Sequence, residues 1–225
     1  METNQLLGLQ TESSVKPIAW WRFVVPLVIQ AGLILALPAQ SIYTLVTGKT
    51  LILQTVPVDP YDLLRGYSVT LNYEISDIDK LRALPGWNEL VKQHPGGKEY
   101  DSTTNKQYQS LAQGTSLYVI LQQQKSSAKT PTAWKLVGVS GQTPTNLSAN
   151  QISLKGWYRG YNSIDYGLET YYIPEDQRND INNDISNARP IKRGEQQPIV
   201  VEVKVNAQGN AIPVTMWVRD RQYKF

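Results

Sequence analysis

FVVPLVIQAGLILALPAQSIYTLVTG, residues Phe23 to Gly48, carries no charged side chain and is bracketed by Trp20, Trp21 and Arg22 before it and by Lys49 after it. At about 1.5 Å of rise per residue, roughly 20 helical residues cross a hydrocarbon core about 30 Å thick, so the run is long enough to span a membrane. Trp20 and Trp21 suit the headgroup level, where an indole keeps one edge wet, and Arg22 can snorkel to the interface. The predicted helix runs at least to Leu37, with Pro26 disturbing its first turn, Pro38 kinking or ending it, and Tyr43 serving as a second interfacial anchor. The chain is thus expected to comprise a polar tail (1–19), an uncleaved transmembrane anchor (20–46) and a β-rich domain (47–225).

Cleavage as a secretory signal is the rival reading. It fits less well, because the run exceeds the usual apolar core of about 7 to 15 residues and Leu37 with Ala39 does not make an A-x-A site. Lys16 and Arg22 before the run balance Lys49 and Arg65 after it, so charge gives no orientation. A short tail, one span and a long C-terminal domain is what signal-anchor insertion produces. The expectation is a single-pass protein whose C-terminal domain lies outside the cytoplasm, in a periplasm or lumen.

Composition sets further bounds. At 225 residues and 41% hydrophobic content, the chain holds one span plus one domain with a full core. A net charge of +3, with Lys and Arg scattered, lacks the electrostatic footprint of a nucleic-acid binder, and nucleic acid is excluded as a partner. The absence of cysteine removes disulfides, thiol chemistry and cysteine metal sites.

Beyond the span the pattern turns to strands. Residues 50–56 alternate until Pro57 to Pro60 stops them; Asp59-Pro60 opens a helical turn that Gly66 ends. Tyr67, Val69, Leu71, Tyr73 and Ile75 point one way while Ser68, Thr70, Asn72 and Glu74 point the other, a half-buried strand. Asp77 to Gln93 reads as helix interrupted at Pro85-Gly86, Pro95-Gly96-Gly97 as a loop, and Asp101 to Gly114 as loop. Strands follow at Ser116–Gln123, Ala133–Val139, Gln151–Tyr158 and Leu168–Ile173. A short amphipathic helix carrying Ile181 and Ile185 is expected within Pro174 to Arg189. A hairpin joins Ile199–Val205 to Ala211–Val218 through Gln208-Gly209-Asn210, and Arg219 to Phe225 is a tail. The fold class is therefore a single N-terminal transmembrane helix followed by a mainly antiparallel β domain with two or three short helices.

Leu63-Leu64-Arg65-Gly66 running into Leu71-Asn72-Tyr73 resembles the signature of the GDYXXLXY family. Gly66, Leu71 and Tyr73 fit the Gly-Asp-Tyr-x-x-Leu-x-Tyr pattern, whereas Tyr67 replaces its Asp and Ser68 its first Tyr. A preceding span, the Val58-Asp59-Pro60 lead-in and the later Glu169-Thr170-Tyr171-Tyr172-Ile173-Pro174-Glu175 extend the resemblance over most of the chain beyond the anchor. The resemblance implies a bacterial, membrane-anchored protein of unassigned activity, of a kind often found beside multi-spanning membrane proteins. Whatever the family's Asp does cannot be carried over to Tyr67. On physical grounds Gly66 is a helix cap or turn residue, and Leu71 and Tyr73 are core residues on the apolar face of their strand.

Few residues point to chemistry, and no cofactor or metal is expected. Asp180-Ile181-Asn182-Asn183-Asp184 begins like a calcium loop, then fails with Ile185 where Gly is needed and Ile191 where a bidentate Glu is needed. A stripe of Asp176, Asp180 and Asp184 near a helix N-terminus is the competing reading. His94 has no second histidine or cysteine to work with. Ser68, Ser116 and Ser153 occupy ordinary strand positions, which leaves a Ser-Lys membrane hydrolase as a gross-shape analogy alone. Asp62 and Arg65 read as a local ion pair, with Arg65 gripping a ligand carboxylate or phosphate as the alternative.

Trp157, Tyr158, Arg159 and Tyr161, bracketed by Gly156 and Gly160, form the densest aromatic segment and are the expected partner-binding residues, against the alternative of a packed sheet. Gln30 and Gly32 in the span, with Ala31, would let another helix approach closely and offer it a hydrogen bond. The expected function is a non-catalytic accessory or assembly subunit of a larger membrane complex, partnered by a multi-spanning membrane protein. The alternatives are a module binding a sugar or lipid headgroup and, behind it, the hydrolase.

Overall fold

The computed structural model describes residues 19–56, 64–65, 68–100, 107–125, 131–160, 163–172, 174–188 and 198–225, with backbone alone for Leu37, Leu64, Arg65 and Arg178. The chain divides into two units, one ending at Gln40 and the other comprising Ser41–Phe225. Helix α1, Trp21–Thr47, is long and apolar enough to cross a membrane. Trp20, Trp21, Phe23, Leu27, Ile29, Leu33 and Leu35 are all exposed, which suits a helix with an apolar surround. The helix continues through Pro38, where the sequence suggested a kink or an end, and residues 41–47 belong to the second unit.

Within that second unit α1 passes into strand β1 (Lys49–Val56) with Gly48 alone between them. Thr44 is 2% exposed and accepts a hydrogen bond from Asn206 Nδ2 at 3.0 Å, so the last turn of the helix is part of the domain. Gly48 is there because nothing larger fits: a Cβ would lie 2.4 Å from the Thr44 carbonyl oxygen and 3.1 Å from the backbone of Val205.

Strand β1 is an inner strand of a five-stranded sheet. The remaining strands are β2 (Leu64–Arg65), β3 (Ser68–Thr70), β4 (Asn72–Tyr73), β5 (Pro95–Tyr100), β6 (Gln107–Leu111), β7 (Ser116–Gln122), β8 (Lys135–Ser140), β9 (Gln151–Gly160), β10 (Ser163–Asp165), β11 (Thr170–Tyr172), β12 (Ile199–Val205), β13 (Ala211–Val218) and β14 (Arg221–Lys224). Their sheet orders are β14-β13-β12-β1-β4, β10-β9-β7-β8, β11-β3-β2 and β5-β6, and every pairing is antiparallel. Leu51 and Leu53 of β1, Val201 and Val203 of β12, Leu117, Val119 and Leu121 of β7, and Leu154 and Tyr158 of β9 meet in one core, as period-two alternation requires.

Three short helices cover this core. Asp77 caps α2 (Ile78–Arg82) by accepting from the Asp79 N–H, and α3 (Trp87–Gln93) buries Trp87 and Leu90. Between them Gly86 holds φ at 91°, and the Pro85 carbonyl accepts from Val139 N–H at 2.9 Å, which pins the turn to β8. Helix α4 (Arg178–Asn187) buries Ile181 and Ile185, with Ala188 following on the same face.

Three expectations are corrected by long-range pairing. Pro95 to Gly97 belongs to β5, and 107–111 is β6 rather than loop: the two pair with a bulge, and Gly96 sits where a Cβ would strike the Leu111 carbonyl. The C-terminal segment is not a free tail, since β14 adds to the five-stranded sheet. The strand expected over residues 67–75 buries Val69, Leu71, Tyr73 and Ile75 as predicted but breaks at Leu71, with β3 joining β11 and β2 while β4 joins β1, and gives way to a 3-10 turn at Glu74–Ser76.

Candidate functional site

Parts of the two stretches that carry the family resemblance, 71–73 and 169–172, meet in space along the strand that leads into the first of them. Strand β3 pairs with β11 in the register Thr70↔Thr170, Val69↔Tyr171 and Ser68↔Tyr172. Where β3 ends, Leu71 N–H donates to the Glu169 carbonyl at 2.8 Å. The Tyr73 hydroxyl donates to the Leu168 carbonyl at 2.8 Å and also meets the Tyr171 hydroxyl; the Tyr166 hydroxyl donates to the Ile75 carbonyl at 2.7 Å. Leu71 is 2% and Tyr73 1% exposed, so these signature side chains clamp the later segment from inside the core.

The tyrosines behave accordingly. Burial pushes the Tyr166 hydroxyl well above its ordinary range, with the Glu169 charge adding to the effect, and burial raises Tyr171 as well. They serve as neutral hydrogen-bonding groups. Phe225 stacks on the Tyr171 ring with centroids 4.3 Å apart.

At the surface of this junction lies a group of charges. Arg159, on the outer face of β9, donates from Nε (3.0 Å) and Nη2 (2.7 Å) to Asp165 Oδ2 across the β9–β10 hairpin. Asp165 Oδ1 accepts from Gly167 N–H at 2.8 Å, closing an Asx-type turn. Glu169 accepts from Tyr166 N–H at 2.7 Å and from Leu168 N–H at 2.8 Å, and its carboxyl also hydrogen-bonds Asp165. Burial raises Asp165, but the hydrogen bonds from Arg159, Gly167 and Glu169 outweigh it and hold the carboxyl below its ordinary value. Glu169 moves the other way: burial raises it, the Tyr166 N–H lowers it, and the neighbouring Asp165 raises it again. The two carboxyls are thus pushed in opposite directions, Asp165 toward its charged form and Glu169 toward its neutral one. Both carboxylates act on the chain's own backbone, shaping the 165–169 loop.

The sequence did not single out Asp165 as part of any site. Its signal was Asp165-Tyr166-Gly167, an Asx turn with φ of 72° at the glycine. The pairing with Arg159 depends on hairpin register, which no local pattern reveals.

The expected partner-binding residues fare unevenly. Trp157 and Arg159 lie on the outer face of β9, with Lys155 Nζ 5.1 Å from the Trp157 ring centre. Tyr158 alternates inward, is 2% exposed and belongs to the core, which corrects its assignment to a contact surface. Tyr161 lies outside the described residues. Gly156 does not make a bend: it sits in mid-strand, where a Cβ would come 2.8 Å from the Tyr166 ring and 2.9 Å from Ile164, and Gly160 makes the turn at φ 89°. Gln30 and Gly32 are exposed on α1, and a Cβ at Gly32 would meet nothing within 4 Å. The side chain of Arg65, and Asp62, Gly66 and Tyr67, lie outside the described residues.

The other candidates take structural places. Asp184 is on helix α4, where Tyr223 and Arg221 hydrogen-bond it and, with Arg219, hold its carboxyl below its ordinary value. The His94 carbonyl accepts from Ala112 N–H at the end of α3. Lys80 pairs with Glu74, and Lys204 donates to the Thr50 hydroxyl at 2.7 Å; neither is a serine–lysine pair. A cavity of about 530 Å³ is lined by Gln54, Glu74, Lys80, Trp134 and Lys135 among others.

A family model described as GDYXXLXY protein matches residues 30–216, a span that takes in both signature stretches and most of the chain. No curated protein and no solved structure matches the chain.

Proposed function

Because the chain belongs to the GDYXXLXY family, whose resemblance implies a membrane-anchored protein found beside multi-spanning ones, we propose that it is a non-catalytic accessory or assembly subunit of a larger membrane complex. In this reading α1 is an uncleaved anchor and the β-rich domain lies outside the cytoplasm, in a periplasm or lumen. The observation that supports it most is the use made of charge at the signature junction. Asp165 and Glu169 bind the backbone of 166–168 and Arg159 binds Asp165, so the polar groups fix a surface rather than stand ready for a reacting atom. Trp157 and Arg159 lie on the outer face of β9 beside that surface, and these residue types dominate interface energetics when a partner buries them.

Purification of the full chain in mild detergent, with identification of what accompanies it, tests the proposal. A stoichiometric multi-spanning partner is expected, and Trp157→Ala with Arg159→Ala is expected to release it while the thermal melt stays unchanged. Retention of the partner by the doubly changed, folded chain removes this surface from the proposal. Reporter fusions at Phe225 that are active in the cytoplasm alone overturn the topology.

The second reading, a ligand-binding module, is favoured by the cavity of about 530 Å³ beside Trp134, whose polar walls include the Lys80–Glu74 pair. Arg159 does not line it, so the ligand would meet Lys80 and Gln54 instead. Saturable quenching of tryptophan fluorescence by a soluble sugar, abolished in Trp134→Phe, is its test.

A further inference from the structure

We infer that the end of the domain where α1 enters it is a lipid-facing surface, built to rest on anionic phospholipid headgroups. The inference depends on reading α1 as a membrane span and adds to it a face, a charge preference and a set of residues.

Three segments converge at this end. Residues 41–51 carry the last turns of α1 and the start of β1; 203–213 hold the β12–β13 turn, whose Asn206 bonds Thr44; and 140–155 hold the loop leading into β9, where Lys155 N–H donates to the Gly209 carbonyl at 2.9 Å. Together they contain Lys49, Lys155 and Lys204 and no aspartate or glutamate. On β12 the next acid, Glu202, lies two residues beyond Lys204 and away from that end.

The opposite end of the same sheet is mixed in sign, with Asp184 against Arg219 and Arg221, and Asp220 beside them. Between the helix exit and the loop runs a groove of about 300 Å³, lined by Thr47, Lys49, Leu147, Ala149, Asn206 and Ala207 among others. If roughly 20 residues from Phe23 fill the hydrocarbon, Tyr43 and Thr44 fall at headgroup depth. The fixed Thr44–Asn206 contact then brings the 206–210 turn to the same depth. A cluster of lysines without acids at that level is complementary to a negative lipid surface and decays in effect within a Debye length, about 10 Å at 0.1 M salt.

The natural absence of cysteine makes single spin labels straightforward. The full chain, labelled at Asn150, Gln208 or Gln222, is reconstituted into phosphatidylcholine vesicles with or without phosphatidylglycerol. Gln222 pairs with Trp217 near the far end of the sheet, about 20 Å from the helix exit for six strand residues at about 3.3 Å each, and serves as the control. Phosphatidylglycerol is expected to lower the access of a water-soluble paramagnetic reagent to the labels at Asn150 and Gln208 by about threefold or more, since each of three lysines near an anionic surface contributes roughly a fivefold preference. Access at Gln222 is expected to stay constant. At about 0.5 M salt, or in Lys49→Gln/Lys155→Gln/Lys204→Gln, the protection should vanish, the salt arm needing no change of sequence. Equal access at all three positions in both vesicles overturns the lipid-facing surface. Release of the unlabelled chain from vesicles by alkaline carbonate overturns the span, and the surface with it, so the two failures are read separately.

Discussion

The clamp between the signature stretches predicts an asymmetry between two tyrosines that look equivalent in sequence. Tyr73 donates to the Leu168 carbonyl and accepts from Tyr171, so Tyr73→Phe orphans a buried carbonyl and a buried hydroxyl at once. An unsatisfied buried polar group costs about 1–3 kcal/mol, which puts Tyr73→Phe at roughly 2–4 kcal/mol. Tyr171→Phe removes only a donor, and Tyr73 keeps its bond to Leu168, for a loss of about 0.5–1.5 kcal/mol. For a chain of this size each kcal/mol moves Tm by about 2–4 °C. Thermal melts of the full chain should therefore show Tyr73→Phe about 4–16 °C and Tyr171→Phe about 1–6 °C below the parent. The double variant should be no less stable than Tyr73→Phe, because the second change deletes the hydroxyl that the first one orphans. Additive losses, or a larger loss for Tyr171→Phe, would refute the hydrogen-bond order from Tyr171 through Tyr73 to Leu168.

Further outcomes follow from the same geometry. Gly86→Ala adds a Cβ 2.0 Å from the Val139 carbonyl at φ 91°, and a loss of about 3 kcal/mol or more in denaturant titration is expected. Gly48→Ala drives a Cβ against the backbone of Thr44 and Val205; proteolysis near residue 48 should accelerate while the β14 hairpin stays protected. On acidification, Asp184 and Asp165, both held below their ordinary 3.8, contribute stability that is present above that value and lost as pH falls through their folded-state pKa; Asp184→Asn should flatten this acid limb in melts below pH 3.8. Glu169, raised above its ordinary 4.5, contributes in the opposite sense, favouring the fold below that value and losing effect as pH rises through its folded-state pKa, so Glu169→Gln should flatten the limb above pH 4.5.

What the sequence made legible were the elements whose evidence is local. The strands Ile199–Val205 and Ala211–Val218 are runs rich in β-branched residues bounded by a turn, and they form with those bounds. Val69, Leu71, Tyr73 and Ile75 declare their buried face in the same way. The break at Leu71 was not legible, because it arises from the Glu169 carbonyl, far along the chain, taking the Leu71 N–H. Pro95-Gly96-Gly97 reads as a loop by propensity, yet β6 supplies enough pairing to override it. The Arg159–Asp165–Glu169 group failed to appear for a related reason: the residue types are ordinary, and what joins them is the register of a hairpin and the path of a loop.

The burial of Leu71 and Tyr73 also bears on the two signature positions where this chain departs. If the Leu-x-Tyr pair contacted a partner or a substrate directly, it would need exposure, and it has almost none. Its work is internal, holding residues 165–172 against β3. Ser68, which stands where the pattern has its first tyrosine, sits between Tyr172 on one side and Arg65 on the other, and strand pairing there is made by backbone groups indifferent to the side chain. A serine can therefore stand at that position within the same backbone pairing, whereas loss of the Tyr73 hydroxyl costs the junction two hydrogen bonds. In this chain the matching Leu71 and Tyr73 lock two distant segments together, and the loop from Asp165 to Glu169 takes its place from that lock.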